Sequence, residues 1–229
     1  MNGWGEFTCA SAIFLASHSL PARPAIRGAL TRRLGRTVYL VIYSAVSLVL
    51  LAWLIAAAGR APYVGLWHGS QAQTWIANIL MALAILLAVG GIAIANPFSL
   101  GGLASKAYDP ARPGALAITR HPLLWALALW SLAHTLVNGD LAHVLLFGVM
   151  GLFSALGILM MERRARMRLS GTWTDQVRHT SLFPFLALLT GKARWREALQ
   201  LRQLLAPLIW LIIVALHRPV LGVSPLPVF

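Results

Sequence analysis

The chain has 229 residues, of which 59% are hydrophobic and only 11% are charged. A soluble domain has about 25% charged residues, so this chain carries more apolar surface than a globular core can bury. The composition therefore excludes an ordinary soluble enzyme and predicts an all-α, polytopic membrane protein with one domain over residues 1–229. The net charge of +13 indicates basic loops beside anionic lipid, and we expect no binding to nucleic acid.

Apolar runs long enough to cross a bilayer, about 17–25 residues each, predict a bundle of six transmembrane helices. They cover residues 4–20, 37–58, 75–95, 122–137, 141–161 and 204–220. Residues 138–140 alone separate the fourth run from the fifth, so these two helices should form an antiparallel hairpin. A shorter apolar segment, residues 181–190, is interpreted as an interfacial or re-entrant segment.

Basic residues are concentrated in alternate loops. The segments 21–36, 96–121 and 162–203 contain 17 of the 19 Lys and Arg residues. Because cytoplasmic loops of membrane proteins are enriched in Lys and Arg, these three segments should be cytoplasmic. Both termini should then lie on the other side of the membrane, as an even number of spans requires.

Two histidines on the fourth predicted helix are candidates for chemistry, because ionisable residues within a membrane are costly and typical of functional sites. His121 precedes Pro122, which is favoured at the first helical position. For Arg120 and His121 two interpretations remain open: a helix cap with a cytoplasmic charge, or a site for an anion such as a phosphate, a carboxylate or a haem propionate. His134 is either a histidine bonded to a neighbouring helix or an axial haem ligand.

The spacing of these two histidines excludes a shared metal ion. Thirteen residues of helix separate them by about 20 Å along the axis and by about 140° around it. A partner for His134 must come from another helix, and His18 at the end of the first run is a candidate. In a hydrocarbon layer about 30 Å thick, the levels of His18 and His134 differ by roughly 10 Å, so depth alone favours His18 with His121.

Glu162 ends the fifth predicted helix. An acidic side chain at a helix C-terminus opposes the helix dipole, so Glu162 needs a cationic partner. Arg163, Arg164 and Arg120 of the neighbouring helix are the candidates.

A set of short motifs recurs in one order along the chain: Ser17-His18-Ser19-Leu20, Leu34-Gly35-Arg36, Asn96-Pro97, Ile118-Thr119-Arg120-His121-Pro122, Leu132-Ala133-His134, Asn138-Gly139-Asp140, Glu162-Arg163-Arg164 and Ser181-Leu182-Phe183-Pro184-Phe185. In this joint pattern the chain resembles the NnrU family of bacterial inner-membrane proteins over nearly its whole length. That family is associated with nitrite and nitric oxide reduction in denitrifying bacteria. The resemblance implies the same role and a periplasmic location for both termini.

The family has a relative of better-known chemistry, the plant 15-cis-zeta-carotene isomerase, which is a membrane enzyme with a b-type haem held by histidine. The chain is similar to it at His18, at Arg120-His121-Pro122 and at Ala133-His134-Thr135. This resemblance implies a haem b with His18 and His134 as iron ligands. His121 and Arg120 are then further cofactor-binding candidates, while catalytic residues stay unassigned.

Two departures from the isomerases affect the expected activity. Ser131 stands where they have a cysteine that can replace the histidine ligand, and residues 59–62 lack their further histidine. A redox switch is therefore not expected. The leading hypothesis is a haem protein that supports denitrification with a redox partner. One alternative is a carotenoid isomerase that acts on a hydrophobic small molecule, and another is an assembly or transport partner without a cofactor. A remoter similarity in the Arg-His-Pro motif adds a third alternative, an S-adenosylmethionine-dependent membrane methyltransferase.

Overall fold

The computed structural model describes residues 3–21, 23–99 and 107–227. Lys106 of the second basic segment lies outside them. Within these ranges the chain is all-α, with an isolated β-bridge between Gly65 and Asp140 in place of any strand. The α-helices are α1 (Gly3–Ser19), α2 (Pro24–Leu34), α3 (Arg36–Arg60), α4 (Gln71–Gly91), α5 (Pro122–Val137), α6 (Leu141–Arg168), α7 (Trp173–Val177), α8 (Leu186–Leu189), α9 (Trp195–Ala198) and α10 (Ala206–Leu221).

Each of the six predicted apolar runs forms a helix: α1, α3, α4, α5, α6 and α10. Four helical segments are long and apolar enough to cross a membrane, namely α3, α4, α6 and Leu201–Leu221. The apolar helix α5 has 16 residues and α1 has 17, which is short for a span. The all-α membrane fold is thus confirmed, whereas the number of six spans stays a prediction.

Local signals account for the helix boundaries. The helix α4 begins four residues before the predicted run, because Ser70 and Gln73 form a reciprocal capping box that satisfies two backbone N–H groups. The helix α6 continues to Arg168, seven residues past its apolar run. The helix α2 within the first basic segment was not predicted from the sequence, although it has a proline in its first turn and ends at Gly35 with φ +78°, a backbone conformation that suits glycine.

The chain forms two compact units, Met1–His68 with Asn138–Leu146, and Gly69–Val137 with Phe147–Phe229. In the first unit α1 packs against α3. The Glu6 carboxylate accepts hydrogen bonds from Trp53 Nε1 at 3.1 Å and from the Arg60 guanidinium at 2.6 Å. This pairing links the beginning of α1 to the end of α3.

The turn at Asn138-Gly139-Asp140 belongs to the first unit. The Gly139 carbonyl accepts a hydrogen bond from Leu66 N at 2.7 Å, and Leu141 N donates to the Val64 carbonyl at 2.9 Å. A β-carbon on Gly139 would overlap the backbone carbonyl of Trp67. Glycine is therefore required here by the close approach of two backbone segments.

In the second unit α4 packs against α5 and α10. The α4–α5 contact is close, since a β-carbon on Gly91 would lie 2.8 Å from the Pro122 ring. The helix α5 also runs antiparallel to α6, because His121 contacts Glu162 at one end and His134 contacts Phe147 at the other. The predicted antiparallel hairpin is confirmed by these contacts.

The surface of the long helices is apolar. Within Leu201–Leu221 only 6% of an 18-residue apolar stretch is buried, and within Arg36–Arg60 the buried share is 11%. Side chains such as Leu48 and Val49 are about two-thirds exposed. In water this surface would be unfavourable, so it is suited to contact with lipid.

Replacement of Gly139 by Ala should destabilise the protein by about 2 kcal/mol, because the added methyl group cannot be accommodated without moving the backbone. Gly148→Ala is the matched control, since a β-carbon on Gly148 meets nothing within 4 Å and alanine favours helix. Thermal unfolding in detergent measures both. Equal melting temperatures for the two variants would contradict the close approach at Gly139.

Candidate functional site

The segment that precedes α5 is buried and held by a second loop. Thr119 and His121 are fully buried and Arg120 is 9% exposed. We call residues 180–192 the 180–192 loop. Two backbone hydrogen bonds pair this loop with the segment before α5. Arg120 N donates to the Ser181 carbonyl at 2.9 Å, and Phe185 N donates to the Ile118 carbonyl at 2.8 Å. The apolar segment 181–190 is thus a turn that folds back onto the chain, and its only helix, α8, has four residues, too few for a re-entrant helix.

Side chains reinforce this pairing. The Leu182 carbonyl accepts hydrogen bonds from Thr119 Oγ1 at 2.8 Å and from Trp125 Nε1 at 2.9 Å. Phe185 has φ +65°, a left-handed conformation that costs free energy for a residue other than glycine. The surrounding hydrogen bonds hold it there, so the loop has a defined conformation against the start of α5.

A partly buried carboxylate lies at the centre of the site. Glu162 Oε2 accepts a hydrogen bond from Arg120 Nε at 3.0 Å, and Oε1 accepts one from Nη2 at 2.5 Å. His121 Nε2 lies 3.0 Å from the same Oε2. The predicted need of Glu162 for a cationic partner is confirmed, with Arg120 as that partner. The contact with His121 was not predicted, because Arg120 alone satisfied the charge requirement at the sequence level.

Arg120 is held from two further sides. Its Nη1 donates to Thr180 Oγ1 at 3.3 Å, and its guanidinium carbon lies 5.7 Å from the centre of the Trp173 ring, within the range of a cation–π contact. Asn96 Nδ2 donates to the Arg120 carbonyl at 3.0 Å. The arginine is thereby fixed in both backbone and side chain. Neither Thr180 nor Trp173 carries a sequence signal that would have placed it here.

These contacts bear on the two interpretations of Arg120 and His121. The helix-start interpretation is supported, since His121 N donates to Thr119 Oγ1 at 3.3 Å and Trp125 N donates to the His121 carbonyl at 2.9 Å. The anion expected beside Arg120 is a carboxylate of the chain itself, that of Glu162. A role for Arg120 or His121 in binding a cofactor stays a prediction.

The imidazole of His121 is polarised by its neighbours. With Nε2 donating to the Glu162 carboxylate, Nδ1 carries the lone pair. Nδ1 is buried and has no hydrogen-bond partner among the described residues. A buried imidazole that is oriented by a carboxylate at one nitrogen can accept a proton or a ligand at the other.

Asn96 and Tyr108 border the site. Asn96 Oδ1 accepts a hydrogen bond from Phe98 N at 2.8 Å, which stabilises a turn at Asn96-Pro97. The Tyr108 hydroxyl donates to the Gln176 carbonyl at 3.0 Å, and its ring packs edge-on against Phe98. Burial raises the pKa of Tyr108 to about 12, so this phenol stays neutral and serves as a fixed hydrogen-bond donor.

His18 lies in the last turn of α1, in the first unit. Its Nδ1 is 2.9 Å from the Phe14 carbonyl. The imidazole packs against the Phe14 ring at 4.1 Å and the Tyr43 ring of α3 at 5.7 Å between centres. This half-buried histidine therefore lies among aromatic side chains.

His134 has a similar local arrangement in the last turn of α5, in the second unit. Its Nδ1 is 2.8 Å from the Trp130 carbonyl. The rings of Trp130 and Phe147 lie 5.2 and 4.8 Å from the imidazole centre. Ser131, on the preceding turn of α5, is 1% exposed, and its hydroxyl has no hydrogen-bond partner among the described residues.

The remaining histidines have ordinary polar partners where the structure gives them. His143 Nδ1 contacts the Asp140 carboxylate at 2.8 Å at the start of α6. His179 and His217 contact the carbonyls of Lys192 and Val223. No group of three potential metal-binding side chains from His, Cys, Asp and Glu occurs in the described parts of the chain. Of the predicted site residues, the structure thus brings Arg120 and His121 together at Glu162, while His18 in the first unit and His134 in the second each lie among aromatic side chains.

Comparison with known proteins gives one result. A family model described as "NnrU protein" matches residues 6–225. No curated protein and no solved structure matches the chain.

Replacement of Glu162 by Gln should lower the free energy of unfolding by about 3 kcal/mol, because the buried Arg120 charge loses its counter-charge. Asp109→Asn is the matched control, since the Asp109–Arg112 pair is exposed and exposed ion pairs contribute little. Chemical or thermal unfolding in detergent provides the comparison. If Glu162→Gln is as stable as Asp109→Asn, the buried cluster does not hold the start of α5.

Proposed function

The chain belongs to the NnrU family, and on that premise we propose that it is a b-type haem protein of the bacterial inner membrane that supports nitrite and nitric oxide reduction in denitrification. A redox partner or a lipid-soluble small molecule exchanges electrons with it. The haem, when bound, supplies an iron centre capable of one-electron chemistry. The protein's contribution is to provide imidazole ligands in apolar surroundings.

The observation that supports this proposal is the hydrogen bond that the Nδ1 atom of His18 and that of His134 each make. In each, Nδ1 contacts the carbonyl of the residue four positions earlier, which accepts the Nδ1 proton. The lone pair then lies on Nε2, the nitrogen suited to bind haem iron. A hydrogen bond from Nδ1 to a backbone carbonyl also orients the ring and makes the imidazole a stronger ligand.

The surroundings of these two histidines distinguish them from the others. His179 and His217 make comparable contacts with carbonyls, but those contacts are exposed to solvent, and these two histidines have no aromatic neighbours among the described ring contacts. His18 and His134 are half-buried beside Phe14 and Tyr43, and beside Trp130 and Phe147. Aromatic and apolar side chains fit the faces and edges of a porphyrin, so the residues present suit the group.

The first test is the absorption spectrum of the protein purified in detergent from haem-replete cells. We expect a Soret band that shifts on reduction with dithionite. The band should be lost or strongly weakened in His18→Ala and in His134→Ala, because each substitution removes an iron ligand. His179→Ala and His217→Ala are the matched controls and should keep the band.

A colourless protein from such cells would contradict haem binding. A band of equal strength in His18→Ala and His134→Ala would contradict the assigned ligands. The carotenoid isomerase alternative requires the same haem, so the spectrum does not distinguish it from the leading proposal. Incubation of the haem-loaded protein with a cis-polyene does, because only an isomerase converts the polyene to another isomer. The isomerase's redox switch has no counterpart here, because the buried Ser131 cannot replace a cysteine as an iron ligand.

A methyltransferase is the second candidate function, and a specific contact favours it. The Arg-His-Pro motif, which suggested that class, meets the Glu162-Arg163-Arg164 motif in the contacts of Arg120 and His121 with Glu162. S-adenosylmethionine should then bind to the protein and fail to bind to His121→Ala. Isothermal titration without any saturable heat would exclude this function.

The proposed membrane orientation places the three basic segments in the cytoplasm and both termini in the periplasm. Alkaline phosphatase folds into its active form only in the periplasm. Fused after Gly69 it should be active, and fused after Arg178 it should be inactive. The reverse pattern would overturn the orientation, and equal activity of the two fusions would contradict the number of spans between them.

A further inference from the structure

A cleft of about 220 Å³ opens beside the buried cluster, between the start of α5 and the 180–192 loop. Its polar lining comes from Arg120, Thr180, Ser181, Thr190 and Lys192, and its apolar lining from Leu182, Leu186 and Ala187. Two of the polar lining residues are cations, and no carboxylate is among the lining residues. The cleft is therefore suited to an anionic group attached to an apolar one.

Arg120 forms a fixed donor in the wall of this cleft. A guanidinium has five N–H groups, and those on Nε, Nη2 and Nη1 that contact Glu162 and Thr180 account for three of them. Two donors remain for an acceptor in the cleft. Because the side chain is held by the carboxylate and by Trp173, little conformational entropy is lost when a ligand binds.

Lys192 completes the cationic lining from an exposed position at the end of the loop. An ammonium group there can reach an anion without unfolding any buried contact, since Lys192 is bonded through its backbone carbonyl to His179 at 2.7 Å. A phosphate group, with several acceptor oxygens and a negative charge, matches a fixed guanidinium combined with a mobile ammonium.

The surroundings of the cleft indicate where such a phosphate comes from. Phe183, Leu186 and Leu189 of the same loop are 56%, 45% and 76% exposed. Exposed apolar side chains next to cationic ones are typical of a surface that lies at the headgroup level of a bilayer. The loop also packs against the segment that carries Arg120, and it belongs to segment 162–203, where basic residues are concentrated.

We propose that this cleft binds the phosphate group of an anionic phospholipid, with Arg120 and Lys192 as donors and the exposed leucines and Phe183 beside the acyl chains. This site is independent of the proposed haem ligands. Its function is to fix the 180–192 loop, and with it the start of α5, at the membrane surface.

Isothermal titration of the full chain in detergent with a short-chain, water-soluble phosphatidylglycerol tests the proposal. We expect saturable binding of one equivalent, and an affinity about tenfold lower in Lys192→Gln, the loss expected for one charge-assisted contact. Lys192→Arg should retain the affinity. Arg218→Gln, which removes an exposed cation at the end of α10, is the matched control and should also bind normally.

Two further titrations identify the recognised group. The corresponding short-chain diacylglycerol, which lacks the phosphate, should not bind. Equal affinity for the diacylglycerol, or an unchanged affinity in Lys192→Gln, would overturn the proposal. Binding of inorganic phosphate as tight as that of the lipid would assign the cleft to a free anion and would overturn the phospholipid assignment.

Discussion

The ion pair between the partly buried Glu162 carboxylate and Arg120 is the contact on which the second unit depends. The carboxylate neutralises Arg120 and orients His121, both of which are at least nine-tenths buried. Neither side chain could be buried alone without a large desolvation cost. The same arginine extends the cluster to Thr180 and Trp173, so one acidic residue near the end of α6 fixes the start of α5 and the loop that covers it.

This arrangement separates two kinds of chemistry along α5. The start of the helix is a polar, ion-paired cluster next to a cationic cleft. The opposite end carries His134 among aromatic rings, with its Nδ1 at 2.8 Å from the Trp130 carbonyl. Ligand binding at His134 need not disturb the ion-paired cluster, because about three and a half turns of helix separate His134 from His121.

Hydropathy predicted every long helix, since an apolar run of sufficient length forms a helix in lipid whatever its neighbours are. The requirement of Glu162 for a cation was also predictable, because a negative charge near a helix C-terminus opposes the helix dipole. The contacts of Glu162 with His121 and of Arg120 with Ser181 and Thr180 join positions 41 to 61 residues apart. No local pattern encodes such pairs, so the interpretation of segment 181–190 as interfacial or re-entrant could not include the distant segment with which it pairs.

The most direct measurement of the haem assignment is the electron paramagnetic resonance spectrum of the ferric protein in detergent. Two imidazole ligands produce a low-spin iron. We expect a low-spin signal for the unaltered chain and its conversion to a high-spin signal in His18→Ala and in His134→Ala, with no conversion in His179→Ala. A ferric signal that is high-spin in the unaltered chain, or that stays low-spin in both variants, would contradict ligation by His18 and His134.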